Sequence, residues 1–222
     1  YVPTRWRGWW DYGCGALGDI GCHTFDAPFA VLDLGSPSKV EVVRQVPPGP
    51  GFIPMGAVVT YHFPARGSKP PVVLKWYEAG FDVPKPRRWD PADELPSGGG
   101  MYMEGTKETL YHEGMRPTRP RLTPSARYEA RKDELDQIDR LPEVGAGPIE
   151  EWIRAIKGEG PMPLSNFDYA VPLTEMVLLG AMAQRTGRTI EWDAENMKVI
   201  GQPEMDALVK EPVRSGWEYG IS

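Results

Sequence analysis

Asp19-Ile20-Gly21-Cys22-His23 places a carboxylate and an imidazole four residues apart. On a helix such a pair lies on one face, one turn apart. A carboxylate beside an imidazole fixes the ring's orientation and favours its charged form, which makes the pair a candidate acid/base. Two other readings use the same residues. A metal site would need a third ligand, for which Asp26 or Asp11 is near enough in sequence, although zinc sites are usually richer in His and Cys. An ordinary ion pair near a helix start needs no further partner.

The flanking residues add further candidates. Trp6, Trp9, Trp10 and Tyr12 form an aromatic run, interleaved with Arg5, Arg7 and Asp11. Such a run serves either as a sugar-stacking platform or as an apolar plug over a domain edge. Gly13-Cys14-Gly15-Ala16-Leu17-Gly18 spells G-x-G-x-x-G, with Asp33 about 20 residues beyond. The dinucleotide reading needs a buried parallel strand before the glycines, and Arg7–Tyr12 is not an apolar strand. The other readings are a glycine-rich turn into a helix, or a place where backbone comes close to a ligand. His62 and His112 fall in strand-like segments and read as structural. Lys85, Arg87 and Arg88, and then Arg116, Arg119 and Arg121, form two basic loop clusters, either solvated or able to clamp a phosphate or carboxylate. No Walker loop, G-x-S-x-G elbow or H-E-x-x-H motif occurs.

These residues need elements to hold them. Apolar Ile20, Phe25, Phe29 and Leu32 predict a helix over about 16–34, with Asp19, His23 and Asp26 on its other face. Gly35 ends it. Lys39–Val46, Ala57–Phe63 and Pro71–Glu78 alternate or are β-branched, as strands do. Met101–Glu104 and Glu108–His112 form a hairpin about Gly105-Thr106-Lys107. Phe81–Gly100 and Met115–Pro124 read as long loops, and Arg127–Arg140 as a solvated helical turn. Ile149, Trp152, Ile153 and Ile156 give Pro148–Lys157 an apolar stripe, and Pro148 suits a first helical turn. A second helix spans about 168–185. Short edge strands at Thr189–Trp192 and Lys198–Ile200 and a short helix at Pro203–Val209 follow. The expected fold is α+β: one large, mostly antiparallel open β-sheet with two or three helices on one face.

Composition bounds the function. The chain has 222 residues and a net charge of -6, which argues against a nucleic-acid partner. No apolar run approaches the ~20 residues of a membrane span, so no membrane partner is expected. Cys14 and Cys22 make no disulfide framework. Gly 25 and Pro 24 are high and predict many turns. Tyr1-Val2-Pro3-Thr4 reads as the interior of a longer protein, and a fragment or processed product is expected.

The segment from Trp6 to Asp26, with its glycine turn leading to D-x-G-x-H and then an Asp, resembles the start of the C-terminal domain of the glucose-fructose oxidoreductase / inositol dehydrogenase / MocA family. Gly98-Gly99-Gly100 with the hairpin Met101–His112 is similar to that family's G…GTKG-L sheet segment. Ser165-Asn166-Phe167-Asp168-Tyr169-Ala170, then the helix through Arg185-Thr186-Gly187, is similar to its closing helix. The likeness spans essentially the whole chain. It implies that residues 1–222 are a single substrate-binding and oligomerisation domain of a larger two-domain oxidoreductase. A Rossmann domain elsewhere would bind NAD or NADP, including the E-K-P lysine that does not occur here, so no nicotinamide is expected to bind this chain tightly. By position in D-x-G-x-H, His23 matches the family's acid/base and Asp19 its partner carboxylate. Trp9, Trp10, Asp11 and Asp26 are the expected substrate contacts, with no metal. The implied partners are a sugar or cyclitol substrate, between whose hydroxyl carbon and the nicotinamide hydride moves, and further copies of the chain through the β-sheet. The alternatives are a redox-assisted glycosidase or lyase on the same scaffold, and a non-catalytic interaction module.

Overall fold

The computed structural model describes residues 3–78, 80–91, 95, 98–139, 145–210 and 212–218. They fall into two compact units. One comprises Tyr1–Cys22, Leu32–Asp82 and Glu175–Ser222; the other comprises His23–Val31 and Val83–Thr174. The division runs through two helices, α1 (Gly15–Leu32) and α4 (Phe167–Thr186). The fold is α+β, as expected, but the strands form two antiparallel sheets of five and three strands rather than one large sheet.

The five-stranded sheet belongs to the first unit. Its strands are β1 (Lys39–Gln45), β2 (Ala57–Phe63), β3 (Val72–Tyr77), β7 (Ile190–Asp193) and β8 (Lys198–Val199), in the order β3-β2-β1-β7-β8. The β-branched run Ala57-Val58-Val59-Thr60-Tyr61 suits a pleated strand covered on both faces. All five residues are buried. Val40 of β1 lies opposite Tyr61, and Val59 opposite Trp76 of β3. Between Val42 and Arg44 the β1–β2 register slips by one residue, which re-aims the end of the strand. The core gathers Val40, Val59, Tyr61, Phe63, Leu17, Leu34, Met176 and Ile190. At Gly180 of α4 an added Cβ would stand 1.8 Å from the Tyr61 hydroxyl and 2.6 Å from Leu17 Cδ2. The second half of α4 therefore meets β2 and the first turn of α1 at a glycine because no side chain fits there.

The three-stranded sheet belongs to the second unit: β4 (Gly100–Glu104), β5 (Thr109–Glu113) and β6 (Arg121–Thr123), in the order β4-β5-β6. β6 corrects the expectation of a loop across Met115–Pro124. Leu122 and Thr123 are buried against β5, so burial overrides the proline-rich local signal. The preceding loop is pinned to the hairpin. Arg88 donates to the carbonyls of Gly105 (2.9 Å) and Thr106 (2.8 Å), Tyr102 to that of Pro84, and Trp89 meets Tyr111 edge-on. Residues 92–94, 96 and 97 of the expected loop and Arg140 lie outside the described residues. The charged run forms α2 (Ser125–Leu135), which buries none of its residues. α3 (Pro148–Lys157) has the bounds its periodicity predicts, but its apolar stripe is exposed rather than laid on a sheet. A short 3-10 turn and α5 (Asp206–Val209) lie where a short helix is expected.

Candidate functional site

The site is built from the start of α1. Its first residue, Gly15, has φ +69°, and an added Cβ would lie 2.6 Å from Ile53 Cγ2. A helix start leaves N–H groups without partners. Here the Glu78 carboxylate accepts the backbone N–H of Leu17, together with Trp76 Nε1–H at 2.9 Å and Gln184 Nε2–H at 3.2 Å. An anion at this end also meets the helix dipole favourably. Burial nevertheless outweighs the three donors and pushes the Glu78 carboxyl above its ordinary value. Burial, and secondarily the Glu78 charge, push the Tyr61 hydroxyl well up.

The glycine turn does not fit a nucleotide pyrophosphate. A parallel strand should run into it, but a 3-10 turn at Trp6–Gly8 and an isolated bridge from Trp9 to Phe52 precede it. The room that the glycines leave is filled by the chain itself. An added Cβ on Gly13 would lie 2.8 Å from the Arg7 backbone, and one on Gly15 would meet Ile53. Among the described residues this turn is packing, with no dinucleotide cradle.

The aromatic run is sewn to the loop at residues 49–53. Trp10 N–H donates to the Gly51 carbonyl (3.1 Å), and Ile53 N–H to that of Gly8 (2.9 Å). Trp9 stacks against Phe52 with ring centroids 3.7 Å apart, and Arg185 lies 5.6 Å from the Trp10 ring centroid. Both indoles are half-buried; Asp11 is exposed. Trp9 is thus packed on Phe52, and the Arg185 guanidinium lies over Trp10.

Asp19 is exposed and forms an ion pair with Arg7, so its carboxylate is already engaged. His23 is exposed one turn further along α1, and its ring has no protein hydrogen-bond partner among the described residues. Asp26 follows three residues later on the same helical face and is also exposed. Tyr169, at the start of α4, donates its hydroxyl to the Asp26 carboxylate (2.5 Å) and also lies 3.1 Å from the Asp26 backbone carbonyl. Its ring meets Phe29 edge-on, with centroids 5.5 Å apart. Burial first, and then the Asp26 carboxylate, raise the Tyr169 hydroxyl well above its ordinary value, so it stays a donor. The arrangement leaves an exposed imidazole three residues from a carboxylate held in one orientation.

Sequence reasoning missed Arg7, Tyr169 and Glu78. Asp26 and Tyr169 are 143 residues apart, and no local period links them. The available hint was the S-N-F-D-Y segment, which points to a special helix start but names no partner. His112 is buried in β5, with Nε2 lacking a partner, and so cannot reach a substrate; His62 pairs with Glu41 at 2.7 Å, where it holds Glu41 below its ordinary value. Among the described residues no group of three or more His, Cys, Asp or Glu is placed to hold a metal ion, and no helix is long and apolar enough to cross a membrane.

The fold is α+β, and its first long helix carries an exposed imidazole and, three residues on, a held carboxylate. Residues 100–219 match the family described as "Oxidoreductase family, C-terminal alpha/beta domain", and the chain belongs to that family. No curated protein matches it. One solved structure similar to it is an oxidoreductase from Agrobacterium radiobacter in complex with NAD+, L-tartaric acid and magnesium. The identity is 12% and the TM-score 0.40, over 78% of this chain and 48% of that one. The chain thus spans about half the length of that oxidoreductase.

Proposed function

We propose that this chain is the substrate domain of a nicotinamide-dependent oxidoreductase that acts at a hydroxyl-bearing carbon of a sugar or cyclitol. The observation that carries this reading is the exposed His23 ring on α1, next to an Asp26 carboxylate fixed by Tyr169. Family membership supports redox chemistry, and the D-x-G-x-H resemblance points to His23. The nicotinamide, as NAD or NADP, would be held by a separate Rossmann domain and supplies the hydride chemistry. This chain supplies the proton chemistry. His23 takes the proton from the substrate hydroxyl as the carbonyl forms, and returns it in the reverse direction. Asp26 accepts a neighbouring hydroxyl and orients the ring of the substrate. Asp19 is held by Arg7. Trp9, Trp10 and Asp11 are the expected substrate contacts, with the indoles as the sugar-stacking residues. Homo-oligomerisation through the five-stranded sheet is the assembly that the family resemblance suggests.

The test is His23→Asn in the intact enzyme with a panel of sugars and cyclitols. We expect kcat to fall by about 10²–10⁴ with nicotinamide affinity unchanged. Turnover near that of the wild type removes His23 from the reaction.

A further inference from the structure

We propose that the cavity formed by β5, β6 and the loop that joins them is a binding site for a small hydroxylated oxyanion, the chemistry shared by a sugar acid and a sugar phosphate. Its volume is about 310 Å³, at the small end of ligand sites, and it is lined by Tyr111, Glu113, Thr118, Arg119 and Arg121. The strand pleat explains the set. Tyr111 and Glu113 alternate with His112 along β5, so they share one face while His112 is buried on the other. Arg121 of β6 stands directly opposite Tyr111, which brings its side chain to the same face. The joining loop, residues 114–120, is longer than a tight hairpin connection and supplies Thr118 and Arg119. It is shaped rather than slack. Pro117 and Pro120 fix two of its φ angles. Gly114 turns it with φ +73° and donates its N–H to the Gly99 carbonyl (3.0 Å), and Thr118 N–H donates to the Arg116 carbonyl (2.8 Å).

The charges identify the ligand. Arg7, Arg88, Arg127, Arg154 and Arg188 each donate to a protein acceptor. The Arg119 and Arg121 guanidiniums have no such acceptor among the described residues. Arg121 lies over the ring of Tyr128 on α2, 5.6 Å from its centroid. Stacking of this kind holds the guanidinium plane and leaves its N–H edge to bind a ligand. Two guanidiniums that line one small cavity repel each other, and Glu113 is the one acid in the lining. An oxyanion removes that repulsion and gains charge-assisted hydrogen bonds. Glu113 acts against a bare anion, but its carboxylate is an acceptor for a hydroxyl on the same ligand, and Thr118 and Tyr111 add hydroxyls to the wall. The lining therefore selects an anionic group and a hydroxyl carried by one small molecule. None of the five residues belongs to the α1 site, and the inference does not rest on the catalytic reading.

The experiment is isothermal titration calorimetry of the full 222-residue chain at low salt, with glucose 6-phosphate, gluconate, inorganic phosphate and glucose as the probes. At least one of the two anionic sugars should bind more tightly than inorganic phosphate and than glucose, and the tighter of the pair tells whether the anionic group is a phosphate or a carboxylate. Arg119→Gln and Arg121→Gln should each weaken that binding about tenfold or more, the loss of one charge-assisted hydrogen bond, with Tm unchanged. Arg131→Gln, which removes the same charge from α2 outside the lining, should leave it as it is. Glu113→Gln should tighten inorganic phosphate, because the opposing charge is gone. Failure of both anionic sugars to bind overturns the proposal. So does binding indifferent to Arg119→Gln and Arg121→Gln, which places the ligand elsewhere, or binding weakened equally by Arg131→Gln, which is the general charge of the chain. Inorganic phosphate or glucose as tight as the anionic sugars overturns it too, since one of the two paired contacts is then missing.

Discussion

At the scale of single residues, the two carboxylates on the α1 face differ in what holds them. Asp19, four residues before His23, is the obvious partner in sequence, but Arg7 holds it. Asp26, three residues after, is fixed by a tyrosine hydroxyl whose proton is tightly held. Glu78 acts differently. It is buried, and it caps the helix that carries all three. Its folded-state pKa is raised, so the stability it contributes is fully present below 4.5 and is lost as pH rises from there through the raised value. Glu78→Gln, which keeps an acceptor oxygen but cannot ionise, should therefore flatten the fall of Tm with pH that begins above about pH 4.5. A thermal-melt series from pH 4 to 8 reads this directly. An unchanged slope in the variant shows that Glu78 does not titrate in the fold as described.

Among the elements, the tightest constraint is the approach of α4 to β2. Gly180→Ala sets two effects against each other. Alanine gains about 1 kcal/mol in helix propensity. Its methyl group would stand 1.8 Å from the hydroxyl of a fully buried Tyr61 and 2.6 Å from Leu17, and neither can move into solvent. Overpacking of this kind costs about 1–3 kcal/mol or more, so the clash wins. The variant should melt at least ~3 °C below the wild type, and a higher Tm would mean that α4 can back away from the sheet. Helix α1 shows the other side of element design. Pro28 sits inside it, and its polar face carries Asp19, His23 and Asp26, so the same helix packs a core and presents the proposed site residues.

For the whole molecule, the net charge of -6 argues against a nucleic-acid partner. The Arg88 guanidinium is spent on the carbonyls of the hairpin turn, and Arg127 on Glu108. At pH 7 and about 0.1 M salt the chain should not shift the mobility of a short DNA duplex at micromolar concentration, the range of ordinary non-specific binding. Retardation under those conditions would contradict this charge argument.

The residues alone determined the local matters. Alternation of β-branched side chains placed β1, β2 and β3 to within a residue or two, and the apolar period placed α3 to the residue, because strand pleat and helical pitch depend only on neighbours along the chain. They also marked Asp19, His23 and Asp26 as one polar helix face. Only the tertiary structure decided which partner each of these met. Arg7 on Asp19, Tyr169 on Asp26 and Glu78 on the helix start are contacts between distant segments, and no sequence period encodes them. The same holds for β6, which exists because β5 is there to pair with it, and for the exposure of the α3 stripe. A periodicity tells a helix to bury a face; only the packed chain shows whether anything is there to cover it.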